Sequence, residues 1–452
     1  MAIASSNVST STVTSGSGQN YGAALAVLTT LFFIWGSLTS LNDVLIPFAQ
    51  NVFNLNLAES FLIQTAFFLA YFLFSIPSAK IIDWIGYKRA IIVGLSTMVA
   101  ACLLVYPAAK IPSFPFFLAA LLILAAGITV LQVAANPYVA VLGRPQTASS
   151  RLVLTQAFNS LGTAVFPWVG ARLILKESVN AASQSASQDA VVRLYVYFFA
   201  IVLVLLAVLF AVFRLPKIEA AEHQIGQKVS DSVWSHPNLV FGAIGIFVYV
   251  GAEVAIGSSI SNYLALSNIG NLAPSATDPA AGYLAAKAAA AQYISIYWGG
   301  AMIGRFIGSA ILQKVETSRV LAFCATMAAL LVTVSVATNG PVAMWAILSV
   351  GLFNSIMFPC IFTSGIAELG QLTGDGSGIL NTAIVGGAII PWIVGKVADA
   401  INHAKYPTMI KGELSWGQGI HYALIIATFC YIYILFYAVK GSRPNSERYA
   451  KV

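Results

Sequence analysis

Charge is what this sequence has least of. Lys, Arg, Asp and Glu make up 9% of its 452 residues, 58% are hydrophobic, and the mean hydropathy is +0.83. Soluble domains carry roughly 25% charged residues, so a water-covered globule is excluded. Cysteine is scarce too. Cys102, Cys324, Cys360 and Cys430 all fall in apolar runs without a Cys-x-x-Cys spacing, which argues against a disulfide scaffold or a zinc site. His223, His236, His403 and His421 lack metal-ligand spacing, and no nucleophile motif is present. The chain therefore reads as neither an enzyme nor the holder of a cofactor. Gly374-Asp375-Gly376-Ser377-Gly378 has no Lys-Ser or Lys-Thr after it, so it reads as a turn and helix cap and not a phosphate cradle. The net charge of +7 comes from cations scattered over helix ends, so no nucleic-acid partner is implied.

What the sequence does have is apolar length. A spanning helix needs about 20 apolar residues, and such runs recur at 22–50, 60–82, 88–110, 115–142, 150–176, 191–214, 238–265, 284–312, 317–338, 341–370, 376–401 and 417–440. The expected fold is an all-α membrane protein of twelve helices in a lipid bilayer. Residues 1–20, rich in Ser, Thr and Gly, read as a disordered tail. A first six-helix half covers 21–214, a charged linker 215–237, a second half 238–440 and a short tail 441–452. Placing both termini in the cytoplasm puts 15 of the 23 Lys and Arg on the inner side, as the positive-inside rule requires. The halves also repeat: Gly162-Thr163-Ala164-Val165-Phe166-Pro167-Trp168 and Gly386-Gly387-Ala388-Ile389-Ile390-Pro391-Trp392 share four of seven residues, each in the fifth helix of its half.

Polar groups inside these apolar runs mark the candidate site. Gln132 and Asn136 lie four apart, and Gln156 precedes Asn159 and Ser160 by three and four, so each set shares a helical face. Uncharged amides and hydroxyls suit a neutral, polyhydroxylated ligand, although interhelical hydrogen bonding would use the same residues. Asp43, next to Asn42 in the first helix, and Glu253 in the seventh are the two carboxylates placed well inside the membrane. Intramembrane carboxylates are candidates for cation coupling. Glu253 has three readings: substrate ligand, coupling group, or buried neutral donor. In the tenth helix Asn354 and Phe358 are four apart, which would put an amide and a ring on one face beside Pro359.

Between the second and third helices, Ala79, Asp83, Gly86 and Lys88 form a short turn that resembles the signature loop of the major facilitator superfamily. Ala79 stands where the leading glycine of that loop belongs. An Asp at a helix C-terminus opposes the dipole and calls for a cation or a neighbouring helix N-terminus. Asp83 and Lys88, with Arg305 in Gly304-Arg305-Phe306-Ile307-Gly308 of the second half, are therefore gating candidates. Leu41 to Pro47, Ala134 to Tyr138, Arg151 to Gly162, Tyr249 to Glu253 and Gly304 to Gly308 together resemble the bacterial fucose and glucose/galactose permease family. The resemblance runs from about 24 to 440. It implies an inner-membrane sugar:cation symporter working by alternating access, with Asp43 tied to proton coupling and sugar binding. Gln132 stands where the fucose permease has a glutamate, which points to the glucose/galactose branch.

The reading is a monomeric hexose symporter for D-glucose or D-galactose. Its sugar ligands would be Asn42, Gln132, Asn136, Gln156, Asn159, Glu253, Asn354 and Phe358, with H+ carried at Asp43 and Glu253. Sodium at Asp43 or Glu253, L-fucose as substrate, proton-coupled drug export and a non-transporting membrane sugar sensor are the alternatives.

Overall fold

The computed structural model describes residues 21–41, 62–111, 113–170, 191–216, 232–270, 285–287, 292–405 and 418–443, with a few single residues between these stretches. Within the described residues each long apolar run is largely helical. The first half holds α1 (Tyr21–Ser40), α2 (62–85), α3 (87–110), α4 (Phe114–Val141), α5 (Ala148–Gly170) and α6 (Arg193–Val212). The second holds α7 (Pro237–Leu264), α8 (Ile294–Ile311), α9 (Thr317–Ala337), α10 (Gly340–Gly365), α11 (Gly370–Ala404) and α12 (Gly419–Gly441). α2 and α3 run together and are parted only at Gly86, whose φ of 77° suits glycine. Nine candidate spans emerge by length and hydropathy among the described residues, one of them being α2 and α3 joined. Of the two helices left over, α5 is rich in Ser and amide and α8 in Gly. They pack on each other, joining the halves, and Phe158 meets Phe306 edge to face at 5.9 Å.

Proline shapes the two central helices through the carbonyl four residues upstream, which loses its helical donor. In α4, Pro137 frees the Val133 carbonyl, and Ser377 Oγ of α11 donates to it at 2.8 Å from the other half. In α10, Pro359 frees the Ser355 carbonyl, and Arg305 Nε of α8 donates to it at 3.1 Å. The chain breaks there: one helix ends at Asn354 and the next begins at Met357. Asn354 and Phe358 thus do not sit on one continuous helix, and the four-residue spacing does not place them on a shared face. Asn354 is wholly buried, while Phe358 stacks on Phe362 at 5.9 Å.

The segment Gly374 to Gly378 is also not a turn. It is the first part of a helix from Thr373 to Thr382, which lies against α2, where the position of Gly378 leaves room for Ala79 and Ser75.

Candidate functional site

In the first half, Gln132 Nε2 donates to the Tyr71 hydroxyl of α2 at 2.6 Å. Gln156, one helix away, remains 8% exposed deep in the bundle, as do Gln132 and Tyr71. Asn159 Nδ2 donates to the Phe32 carbonyl of α1 at 3.0 Å, across the close α1–α5 approach at Gly36. Asn136 is fully buried, and neither of its polar side-chain atoms finds a partner among the described residues. A buried amide left so costs about 1–3 kcal/mol. Asp43 and Asn42 lie outside the described residues.

In the second half the polar groups converge on Glu253. The Tyr249 hydroxyl lies 2.7 Å from Glu253 Oε1 and 3.0 Å from the Asn354 carbonyl at the α10 break. Asn354 Nδ2 donates to the Tyr297 hydroxyl at 2.8 Å, and that hydroxyl donates to the Glu253 backbone carbonyl at 3.3 Å. The Tyr431 phenol of α12 lies beside Asn354, and Arg305 lies within electrostatic range of Glu253. Glu253 keeps 9% exposure. Among the described residues no cluster of three or more His, Cys, Asp or Glu is suited to a metal ion.

One end of the interface between the halves is held shut. Lys80 Nζ pairs with Asp375 Oδ1 of α11 at 2.9 Å and with Asp83 Oδ2 at 3.5 Å. Asp83 Oδ1 also lies close to Gly374, at the α11 N-terminus. Its carboxylate thus has both a cation and a positive helix end nearby. Ser149 bonds to Thr317 and Thr363 at 2.9 and 2.6 Å, and Ser150 Oγ donates to the Ser309 carbonyl at 2.7 Å. Arg305 crosses from α8 to α5, donating to Ser160 Oγ and, at 3.4 Å, to the Gln156 carbonyl. Lys88 stays in its own half and caps α6 through the Ala211 carbonyl at 3.0 Å.

Lys80, Asp375, Tyr71, Tyr249, Tyr297 and Tyr431 are the members that sequence reasoning missed. Only Tyr249 carried a usable signal, since it stands four residues before Glu253 on the same helical face. The Lys80–Asp375 pair is half exposed on the Lys side, so its coupling should be small. A double-mutant cycle with Lys80→Gln and Asp375→Asn should give about 0.2–1 kcal/mol, or roughly 1.4- to 5-fold in the closed-to-open ratio. Cross-linking between the halves on this side reads that ratio, and strictly additive single effects would remove the pair from the latch.

Two six-helix halves with buried polar groups along their helices, tied together at one end by contacts between the halves, are the architecture of an alternating-access membrane transporter. The model of the Major Facilitator Superfamily matches residues 23–391, and the chain belongs to that superfamily, within its fucose and glucose/galactose transporter family. It is 48% identical to the glucose/galactose transporter of Brucella abortus biovar 1 over 94% of this chain and 96% of that protein. It is 33% identical to the L-fucose-proton symporter of Escherichia coli, over 87% and 91% of the two chains. The crystal structure of the transporter FucP in the outward conformation superposes with a TM-score of 0.77 at 30% identity, covering 93% of this chain and 99% of that one. The protein is a multi-pass membrane transporter and not an enzyme.

Proposed function

We propose that the protein is a bacterial inner-membrane symporter that imports D-glucose and D-galactose with H+. The observation carrying this reading is the set of uncharged amides of Gln132 and Gln156, kept slightly open inside the bundle, in a transporter nearly half identical to one named for those sugars. Amides bind hydroxyls as donor and acceptor at once without demanding a counter-charge. Asn136 and Asn159 extend the set in the first half, and Asn42, Glu253, Asn354 and Phe358 complete it. Asn354 acts through Tyr297, whose hydroxyl it holds.

The latched side faces the cytoplasm in this reading, with both termini there, so the sugar enters from outside. Asp43 and Glu253 carry the coupling ion. The surroundings of Glu253 support H+ over Na+: the Tyr249 hydroxyl engages its Oε1, and the Arg305 cation lies within electrostatic range, where it would repel a bound metal cation. Uptake of labelled D-glucose, D-galactose and L-fucose into proteoliposomes tests the proposal. Accumulation of glucose or galactose under an inward proton gradient, and none under a sodium gradient alone, is the expected result. Equilibration without accumulation under either gradient would make the protein a uniporter, and preference for L-fucose would overturn the substrate.

A further inference from the structure

The hydrogens around Glu253 can be counted. Tyr249 has one phenolic hydrogen and two acceptors in reach, Glu253 Oε1 and the Asn354 carbonyl. A carbonyl has no hydrogen to give. Both Tyr249 contacts are satisfied when Glu253 carries the second hydrogen: the carboxylic acid donates to the Tyr249 oxygen and Tyr249 donates to the Asn354 carbonyl. Tyr297 cannot supply it, because its own hydrogen goes to the Glu253 backbone carbonyl.

Arg305 lies within electrostatic range of Glu253 and places its hydrogen bonds on neutral oxygens, those of Ser355, Gln156 and Ser160. Two of the three belong to α5, across the interface between the halves. A guanidinium next to an ionised carboxylate would form a charge-assisted pair in preference to carbonyl contacts. The observed arrangement therefore depends on a neutral Glu253. The groups facing Glu253 are Tyr249 on its own helix, Tyr297 and Arg305 on α8, Asn354 on α10 and Tyr431 on α12. α11 meets α7 through apolar Ile390 at Gly251 and through Gly386 at Phe247.

We infer that Glu253, Tyr249 and Arg305 form a proton-responsive latch in which a protonated Glu253 leaves Arg305 free to bridge α8 to α5. When the acid gives its proton to water in the internal space, the Tyr249 hydrogen swings from the Asn354 carbonyl to Glu253. Arg305 then turns to the carboxylate, and α5 is released. The latch rests on the transport reading only for its purpose. In a symporter, a proton without sugar would hold this side shut and prevent proton leak. A sugar bound at Gln156 and Asn159, on the same turn of α5 that Arg305 contacts, would supply the opposing pull.

The test uses the full-length protein in lipid nanodiscs without sugar, spin-labelled at Arg214→Cys and Lys314→Cys. These exposed positions end α6 and α8 on the latched side, and the four native cysteines are buried. The distance between labels should be short in acid and shift to a longer population as pH rises. Glu253→Gln should stay short at every pH. Arg305→Lys keeps the charge but not the fork that spans three oxygens, and should lose at least half of the pH-dependent change while remaining monodisperse. Infrared difference spectra should show a carboxylic-acid C=O band that disappears on the same titration and is missing in Glu253→Gln. A Glu253→Gln protein that titrates like the parent, or a parent whose distance ignores pH, would overturn the latch. Loss of sugar uptake with the distance titration intact would instead overturn the transport reading alone.

Discussion

Asp43→Asn is expected to abolish sugar accumulation while leaving downhill sugar movement in place. One charge moved through 100 mV is worth about 2.3 kcal/mol, and one pH unit about 1.36 kcal/mol. At one proton per sugar, roughly 3.7 kcal/mol sustains a ratio of a few hundredfold. An amide holds shape and hydrogen bonds but cannot exchange a proton, so the variant should reach a ratio near one. The measurement is the steady-state ratio of labelled glucose across proteoliposomes held at a fixed proton-motive force, with counterflow exchange as the control for intact binding. If Asp43→Asn still accumulates sugar, coupling falls to Glu253 alone. Asp43→Glu, which retains a titratable group, should recover part of the ratio.

How much of this was legible beforehand varies by level. The helices could be read because a lipid-spanning segment has to be apolar for its whole length, and the structure follows the runs, with ends displaced by a few residues or more: the eighth, read as 284–312, is the described α8 at Ile294–Ile311. Glu253 stood out for the same reason, as a carboxylate in an apolar run. Tyr249, Tyr297 and Tyr431 did not, because an aromatic ring there usually signifies packing. Only the fold reveals that their hydroxyls meet around Glu253 and Asn354.

Contacts between distant segments were invisible for a different reason. Lys80 and Asp375 are 295 positions apart, and nothing local in Gly374 to Gly378 distinguishes a turn from a helix end seated on α2. The α10 break shows the limit of spacing arguments. Asn354 and Phe358 have the right interval for one face, but Pro359 and the donors Arg305 and Tyr249 hold open the carbonyls that a continuous helix would have used. Proline announces the vacancy in the sequence, whereas its occupant comes from another helix.

The internal repeat carries the last large effect. Gly162 and Gly386 begin the two matching segments, and both are points of backbone contact. A Cβ on Gly162 would lie 2.4 Å from the Phe33 carbonyl oxygen of α1, and one on Gly386 would lie 2.0 Å from the Phe247 carbonyl oxygen of α7. Helix association in lipid depends on such close packing, since the bilayer supplies little hydrophobic drive. The obstacle is backbone and cannot rotate away, so Gly386→Ala must push α11 off α7, at a cost on the order of 3 kcal/mol. Against a total stability of about 5–15 kcal/mol that is a large loss. Gly395→Ala, in the same helix with open space around its Cβ, should be neutral or slightly stabilising, because alanine favours helix by up to about 1 kcal/mol over glycine. Thermal melts of the detergent-solubilised protein should therefore separate two identical chemical changes nine residues apart, with Gly386→Ala lower by several degrees and poorer in monodisperse yield. Gly162→Ala should behave like Gly386→Ala, since the repeat places both at the contact between the fifth and first helices of a half. Equal melting of all three variants would mean that the repeated glycines do not set the helix spacing.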